Sequence, residues 1–256
     1  MTEFLNVDVS NPGQVFASLG MLELVDLLSP GAVGGFVGEA RFQVDGSTSV
    51  RDAVESLRTA EMVIEPHAGE EAPWGGDKCW PVVVSGRFGS VTLDPWLTPD
   101  HSRTATGLKL WAGQVETLDL LRKLQARLPR AGAYDLSNLF ELTDSGTPTG
   151  LDPRSAVSKS DLGFAYNSQG LKPTIYPVVD LFAMLGLEGA RPMRTGGSSY
   201  AYNLWDQRLP PTVARAVLTG RLAPLASSRW GYSIESRGLA GTYQNLSYAK
   251  PMEEGT

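Results

Sequence analysis

Apolar and polar positions alternate along Phe4-Leu5-Asn6-Val7-Asp8-Val9, the period-two pattern of a short strand. The period then changes. Val15, Leu19, Leu22 and Val25 recur at three- and four-residue spacing, and Phe16 and Leu24 widen the stripe. Ser10 or Asn11 stands at the cap position with Pro12 in the first turn, so the pattern predicts a helix that ends at Leu28, before Ser29-Pro30-Gly31. A strand over 34–44 follows, with a turn at Asp45-Gly46, then a helix over 50–60 behind Ser47 or Ser49. Proline and glycine make 61–80 loop-like, 81–93 reads as a hairpin closed by Asp94-Pro95-Trp96, and 97–107 is a polar connector. Val115, Leu118, Leu121, Leu124 and Leu128 predict a helix from about 113 to 128. Residues 133–172 are irregular. A helix over 176–187, a strand near 199–205, a helix over 211–219 and a strand pair at 229–236 and 242–248 complete the chain. The expected class is α+β, with mixed short antiparallel sheets and a helix-rich middle region.

A chain of 256 residues can bury a sizeable core, and no long linker divides it. One domain over 1–256 is expected. Charge offers a subdivision of it: residues 1–100 carry 15 acidic and 5 basic side chains, and residues 101–256 carry 13 and 17. The first part is an acidic α/β unit. The second is a more basic unit of helices and strands, open to nucleic acid in a way that the overall charge of -6 does not suggest. The single Cys79 excludes an internal disulfide and a cysteine-built zinc site. No run of 18 apolar residues and no basic leader is present, so a cytoplasmic location away from membranes is expected.

Catalytic patterns are missing from the sequence. His67 lies among Glu65, Glu70 and Glu71, and His101 lies between Asp100 and Arg103, neither with metal-ligand spacing. There is no nucleophile elbow, phosphate-binding loop or dinucleotide fingerprint, and no cofactor is expected. Asp94, Asp100, Asp152 and Asp161 have no spacing that singles them out as a dispersed metal site. The more informative pattern is a repeated Gly-Gln-Val step, at Gly13-Gln14-Val15 and Gly113-Gln114-Val115, each at the start of an apolar helix. Gln14 and Gln114 there satisfy free backbone groups or meet a partner, and Trp111 lies in the core or at an interface. Arg122, Lys123, Arg127 and Arg130 gather at the end of their helix, either as a solvated face complementing the dipole or as contacts to phosphate.

Three segments carry a family resemblance. They are Asn11-Pro12-Gly13-Gln14-Val15-Phe16-Ala17 with Gly20 and Leu22-Glu23-Leu24; Leu110-Trp111-Ala112-Gly113-Gln114; and Leu151-Asp152-Pro153-Arg154 continuing through Leu162-Gly163-Phe164, Tyr176-Pro177, Leu181, Leu185-Gly186-Leu187 and Arg191-Pro192. With these, the chain resembles the small Cas protein of subtype I-U/I-G CRISPR loci, a reduced large subunit of the Cascade effector complex. The resemblance implies a non-catalytic subunit that helps assemble the complex, inspects the protospacer-adjacent motif and binds target DNA, while the guide reads sequence by base pairing. Its implied partners are other Cas effector subunits, CRISPR RNA, target double-stranded DNA and the helicase-nuclease. Under that reading Lys109, Arg122, Lys123, Arg127, Arg154, Lys172 and Arg194 contact nucleic acid, and Gln14, Gln114 and Trp111 contact a partner or backbone. A backbone-type Cas subunit with a ferredoxin-like core and a metal-dependent nuclease or hydrolase are the alternatives.

Overall fold

The computed structural model describes residues 1–64, 80–94, 110–111, 115–155, 172–237 and 243–253. The chain opens with strand β1 (Thr2–Asn6), helix α1 (Pro12–Leu28), the hairpin β2 (Val33–Val37) and β3 (Arg41–Asp45), and helix α2 (Val50–Arg58). Strands β4 (Glu61–Ile64), β5 (Val82–Gly86) and β6 (Gly89–Leu93) come next, then helix α3 (Thr117–Gln125) and a 3-10 turn at Leu136–Glu141. Two-residue strands β7 (Asp144–Ser145) and β8 (Thr174–Ile175) pair ahead of helix α4 (Pro177–Gly189). The last part holds the hairpin β9 (Met193–Gly196) and β10 (Ser199–Leu204), helix α5 (Pro211–Leu218), and strands β11 (Ser228–Arg237), β12 (Tyr243–Leu246) and β13 (Lys250–Pro251). Among the described residues all sheet pairings are antiparallel, in the orders β1-β3-β2, β4-β5-β6 and β12-β11-β10-β9, with β13 also on β11. The architecture is α+β.

Helices α1 and α4 form the centre. Every residue from Pro12 to Val25 and from Pro177 to Leu187 is buried. Helices so fully buried are covered on every side, and here the cover extends over polar Gln14, Ser18, Glu23 and Asp180 as well. They cross at Gly20 and Gly186. A methyl group on Gly20 would lie 2.0 Å from the carbonyl oxygen of Phe182, and one on Gly186 would lie 2.1 Å from that of Phe16. The contact is reciprocal because both helices carry the same pentapeptide, Phe-Ala-x-Leu-Gly, at Phe16–Gly20 and at Phe182–Gly186. The first helix presents Phe16 to Tyr202 and Tyr232, edge to face at 5.8 and 6.2 Å. Its other end faces the cluster of Phe36, Phe42 and Trp205, whose indole donates to the Gly34 carbonyl at 2.8 Å.

The likeness extends beyond the pentapeptide. Among the described residues helix–hairpin–helix occurs twice, as α1-β2-β3-α2 and as α4-β9-β10-α5. In each unit the second hairpin strand is central in its sheet, with β1 beside β3 and β11 beside β10. The repeat visible among the described residues lies in the two buried helices; the second Gly-Gln start, Gly113-Gln114, is outside those residues.

Several sequence expectations change. The run 34–44 is not one strand: it folds back at Gly38, where φ is 61°, a left-handed value that glycine adopts freely. Residues 61–64 are strand rather than loop, because Met62 is buried while Glu61 and Val63 face out. The helix expected over 113–128 spans only Thr117–Gln125, followed by turns to Leu128. Strand β9, with exposed Arg194, Thr195 and Gly196, has no apolar alternation to announce it.

Candidate functional site

Three chain segments far apart in sequence meet where α1 and α4 begin. Asn11 caps α1, its side-chain oxygen accepting from the Gln14 backbone N–H at 3.2 Å. Its amide nitrogen donates to Asp152 at 3.0 Å, and both residues are fully buried. Asp152 opens a tight turn in which Oδ1 also accepts the Arg154 backbone N–H at 2.9 Å. The Arg154 side chain then folds back. Nε donates to the two Asp152 oxygens at 3.0 and 3.2 Å, and Nη2 donates to Oδ2 at 2.7 Å and to the Phe140 carbonyl at 2.8 Å. Nη1 donates to both oxygens of Glu141 at 2.8 Å. The guanidinium sits 3.6 Å from the ring centre of Tyr176, the residue before α4.

Helix α4 is tied to the same segment. Thr149 Oγ1 donates to Asp180 at 2.5 Å and accepts the Leu151 N–H at 3.1 Å. The Leu151 carbonyl packs so closely on α1 that only glycine fits at position 13, since a methyl there would be 2.6 Å away. Strand β12 closes the third side. Gln244 N–H donates to the Leu110 carbonyl at 3.0 Å, and Leu246 N–H donates to that of Gly150 at 2.9 Å. Residues 149–154 thus lock the starts of both central helices, and the two positive helix ends face Asp152 and Asp180.

Electrostatics follow from this packing. Burial would lower the Arg154 pKa, but the hydrogen bonds and charge of Asp152 and the charge of Glu141 outweigh it and hold the guanidinium firmly protonated. Asp180 is pushed up to about 8, first by burial and then by the nearby Asp152 charge, against the hydrogen bond from Thr149. At the far ends of the central helices, Glu23 of α1 accepts from Arg215 of α5, and Gly189 of α4 lies against the same guanidinium. Since both starts meet 149–154 and both ends meet Arg215, the two helices run in the same direction. Burial raises Glu23 to about 7, opposed by Arg215. Glu188, also at about 7, is raised by burial and by the charge of Asp94, whose backbone N–H donates to it at 2.7 Å. Arg191 pairs with Asp94 at 2.7 Å.

A pH dependence follows, with an unusual sign. Asp180, Glu23 and Glu188 have folded-state pKa values above their ordinary ones, so the folded protein binds these protons more tightly than the unfolded chain. Their contribution is fully present below the ordinary carboxylate range and is lost as pH rises through 7 to 8. Stability is expected to increase by about 1 kcal/mol per group as pH falls from 8 to 6. Thermal melts across that range read it, and Asp180→Asn should flatten the upper part of the profile. A melting temperature that falls steadily from pH 8 to 6 would contradict the assignment.

The sequence-derived site residues divide by what surrounds them. Gln14 is 1% exposed; its side-chain oxygen accepts the Asp8 N–H at 2.7 Å, and its amide approaches Glu141 at 3.5 Å. It braces the loop between β1 and α1 from inside. Trp111 is buried next to Leu110. Arg154 has all five N–H groups engaged within the protein, so its role is to hold 149–154 in place. Arg122 donates to the Met62 carbonyl at 2.8 Å and joins α3 to β4. Arg127 pairs with Asp144 at 3.2 Å, and its Nη1 donates to the Lys123 carbonyl. Lys123 pairs with Asp119 one turn earlier on an exposed face. Lys172 and Arg194 are exposed, the latter donating to the Gly197 carbonyl at 2.7 Å. Lys109, Gln114, His67, Cys79, His101 and the Leu162-Gly163-Phe164 segment lie outside the described residues.

Sequence reasoning passed over Asp152, Asp180 and Thr149 as site residues. The available signal was the Asp-Pro-Arg step itself, which lets an aspartate cap its own turn and pair with an arginine two residues on. Among the described residues no three His, Cys, Asp or Glu side chains are grouped so as to hold a metal ion, and no helix is long and apolar enough to cross a membrane. No known protein family matches the chain, and no curated protein or solved structure resembles it.

Proposed function

We propose that this protein is a non-catalytic subunit of a type I CRISPR RNA-guided surveillance complex, acting in assembly, inspection of the adjacent motif and binding of target DNA. The observation that carries the reading is the convergence at 149–154. The segments on which the family resemblance rests, Asn11–Gln14, Leu110–Trp111, Leu151–Arg154 and Tyr176–Pro177, are scattered over the sequence yet meet around one buried ion pair. Their chemistry supports a positioning role: each charged group in the knot is engaged by a neighbour, and the knot fixes two buried helices in one register. A scaffold of this kind suits a subunit that holds nucleic acid and partner proteins while the guide reads sequence.

The direct test is co-expression with the proteins of an adjacent CRISPR locus and a guide RNA. Stable co-purification with the effector, and loss of target-DNA affinity when this chain is omitted, are expected. A complex that assembles fully and binds target equally well without it would refute the proposal. Within the complex, Lys123→Glu with Lys172→Glu should weaken target binding several-fold and reduce its salt dependence, because both are exposed cations. Arg122 is a poor choice for this experiment, since its bond to Met62 makes it structural.

One observation favours the backbone-type alternative. The order β1-α1-β2-β3-α2, with the sheet order β1-β3-β2, is the three-strand portion of a ferredoxin-like sheet. The next strand, β4, pairs with β5 in a separate sheet instead of returning beside β1, so the described sheet lacks the fourth strand of that fold. Specific binding of guide RNA by the isolated chain would support this alternative over the first.

A further inference from the structure

The two helix–hairpin–helix units serve as controls for one another. Residues 33–58 of the first unit carry four acidic side chains (Glu39, Asp45, Asp52, Glu55) and three arginines. The matching stretch of the second, 193–218, carries three arginines and one acid, Asp206. Over the wider span between Glu188 and Glu235 there are six arginines and that single acid in 46 residues. The two stretches carry equal numbers of arginines, and the second is basic because it has one acid where the first has four, so the same arrangement of elements folds with either charge balance.

Packing accounts for half of these arginines. Arg191, Arg208 and Arg215 pair with Asp94, Asp45 and Glu23. Arg194, Arg221 and Arg229 are exposed and make no ion pair with a described residue. Strand register gathers two of these around one end of the second sheet. Met193 stands opposite Ala201, Arg229 opposite Asn203, and Lys250 opposite Gly231, which puts them on one face. The Arg229 guanidinium reaches within 4.0 Å of the Met193 sulfur. The Met193 methyl lies against Gly220, so Arg221 follows directly at the end of α5. Met252 lies over Gly231, and its N–H donates to the Arg229 carbonyl at 2.8 Å. Three cations thus border a floor of two methionines. Asn203 beneath is buried and donates to the Val217 carbonyl.

We propose that Arg221, Arg229 and Lys250 form a binding face for the phosphate backbone of nucleic acid. Guanidinium and ammonium groups that form no ion pair within the described residues attract phosphate and release its counterions. The cellular setting rests on the effector-subunit reading, but the binding does not. It is therefore measured on the isolated full-length chain with a fluorescein-labelled 30-base-pair duplex of arbitrary sequence, by anisotropy at several salt concentrations.

Arg221→Glu with Arg229→Glu should weaken binding about tenfold or more and lower the salt slope by about 2, while Arg41→Glu with Arg87→Glu, an equal charge change on exposed positions elsewhere, should leave both within about twofold. Thermal melts confirm that each variant is folded. If the reversal destabilises the protein, Arg221→Gln with Arg229→Gln supplies the same comparison with a smaller expected loss. Equal losses in the two pairs, or no binding by the parent chain, overturns the proposal. So does binding of labelled polyglutamate through these residues without binding of the duplex, which would make the face a site for an acidic protein. Failure here leaves co-purification with an effector complex unaffected, and failure of co-purification leaves the anisotropy result standing.

Discussion

Replacing Gly20 with valine is expected to leave little folded protein. The crossing of α1 and α4 admits no side chain at this point, because a single methyl would lie 2.0 Å from the Phe182 carbonyl oxygen. Neither helix can yield easily, since both are buried over more than ten consecutive residues and each is packed on other elements. Relief requires moving backbone against backbone, with gaps opening around Phe16, Phe182 and their neighbours. Overpacking a core by a few methylenes costs about 1–3 kcal/mol, and a clash with main chain on a rigid crossing belongs above that range, at about 4 kcal/mol or more. Against a total stability of roughly 5–15 kcal/mol such a loss is severe. Gly186→Val should behave alike. Urea denaturation and soluble yield read the effect, with Gly20→Ala as the milder member of the series. A Gly20→Ala protein that unfolds at the parent's urea midpoint would show that the helices do not cross there.

Asp152→Ala should be the most damaging change among the charged residues. It removes the acceptor for Asn11, for the Arg154 backbone and for two of the Arg154 side-chain nitrogens, leaving a largely buried guanidinium with Glu141 as its only carboxylate. Breaking one side of a buried ion pair typically costs about 3–5 kcal/mol, much of it the penalty of the charge left behind. Asp152→Asn retains one acceptor oxygen and should fall between the parent and the alanine variant. Arg154→Leu combined with Asp152→Ala should recover part of the loss, because the double variant buries no unpaired charge. A double-mutant cycle built on Asp152→Ala and Arg154→Leu gives the coupling directly. Additive losses in that cycle would mean that the two side chains do not act as a pair.

These two expectations also show what the sequence makes legible. The class of the fold and most helices were readable, because apolar spacing reports burial on one face of a helix or strand. The same spacing understated α1 and α4: a stripe at Val15, Leu19, Leu22 and Val25 suggests one buried face, whereas Gln14, Ser18 and Glu23 on the other sides are buried as well. Total burial depends on what lies beyond the helix, and a window of sequence does not contain it. The charged knot was hidden for a related reason. Arg154 looks like a free cation until Asp152, Glu141 and Phe140 are placed around it, and Asp152 looks undistinguished until Asn11 arrives from 141 residues away. Local chemistry was informative where the partner was close in sequence. The capping of α1 by Asn11 and the capping box of Ser49 and Asp52 on α2 are both matters of three residues.

The pairing of α1 with α4 imposes an order on biosynthesis. Phe16 and Phe182, equivalent positions in the two helices, are separated by 166 residues. At about 5–20 residues per second, the first helix waits roughly 8–33 s after synthesis before its partner exists. Its partner surface through Gly20 stays uncovered for that time, and the locking contacts that 149–154 makes with α1 become available only 28 residues sooner. Newly made α1 is thus the segment most in need of a chaperone, and a ribosome paused between residues 60 and 140 would present it longest.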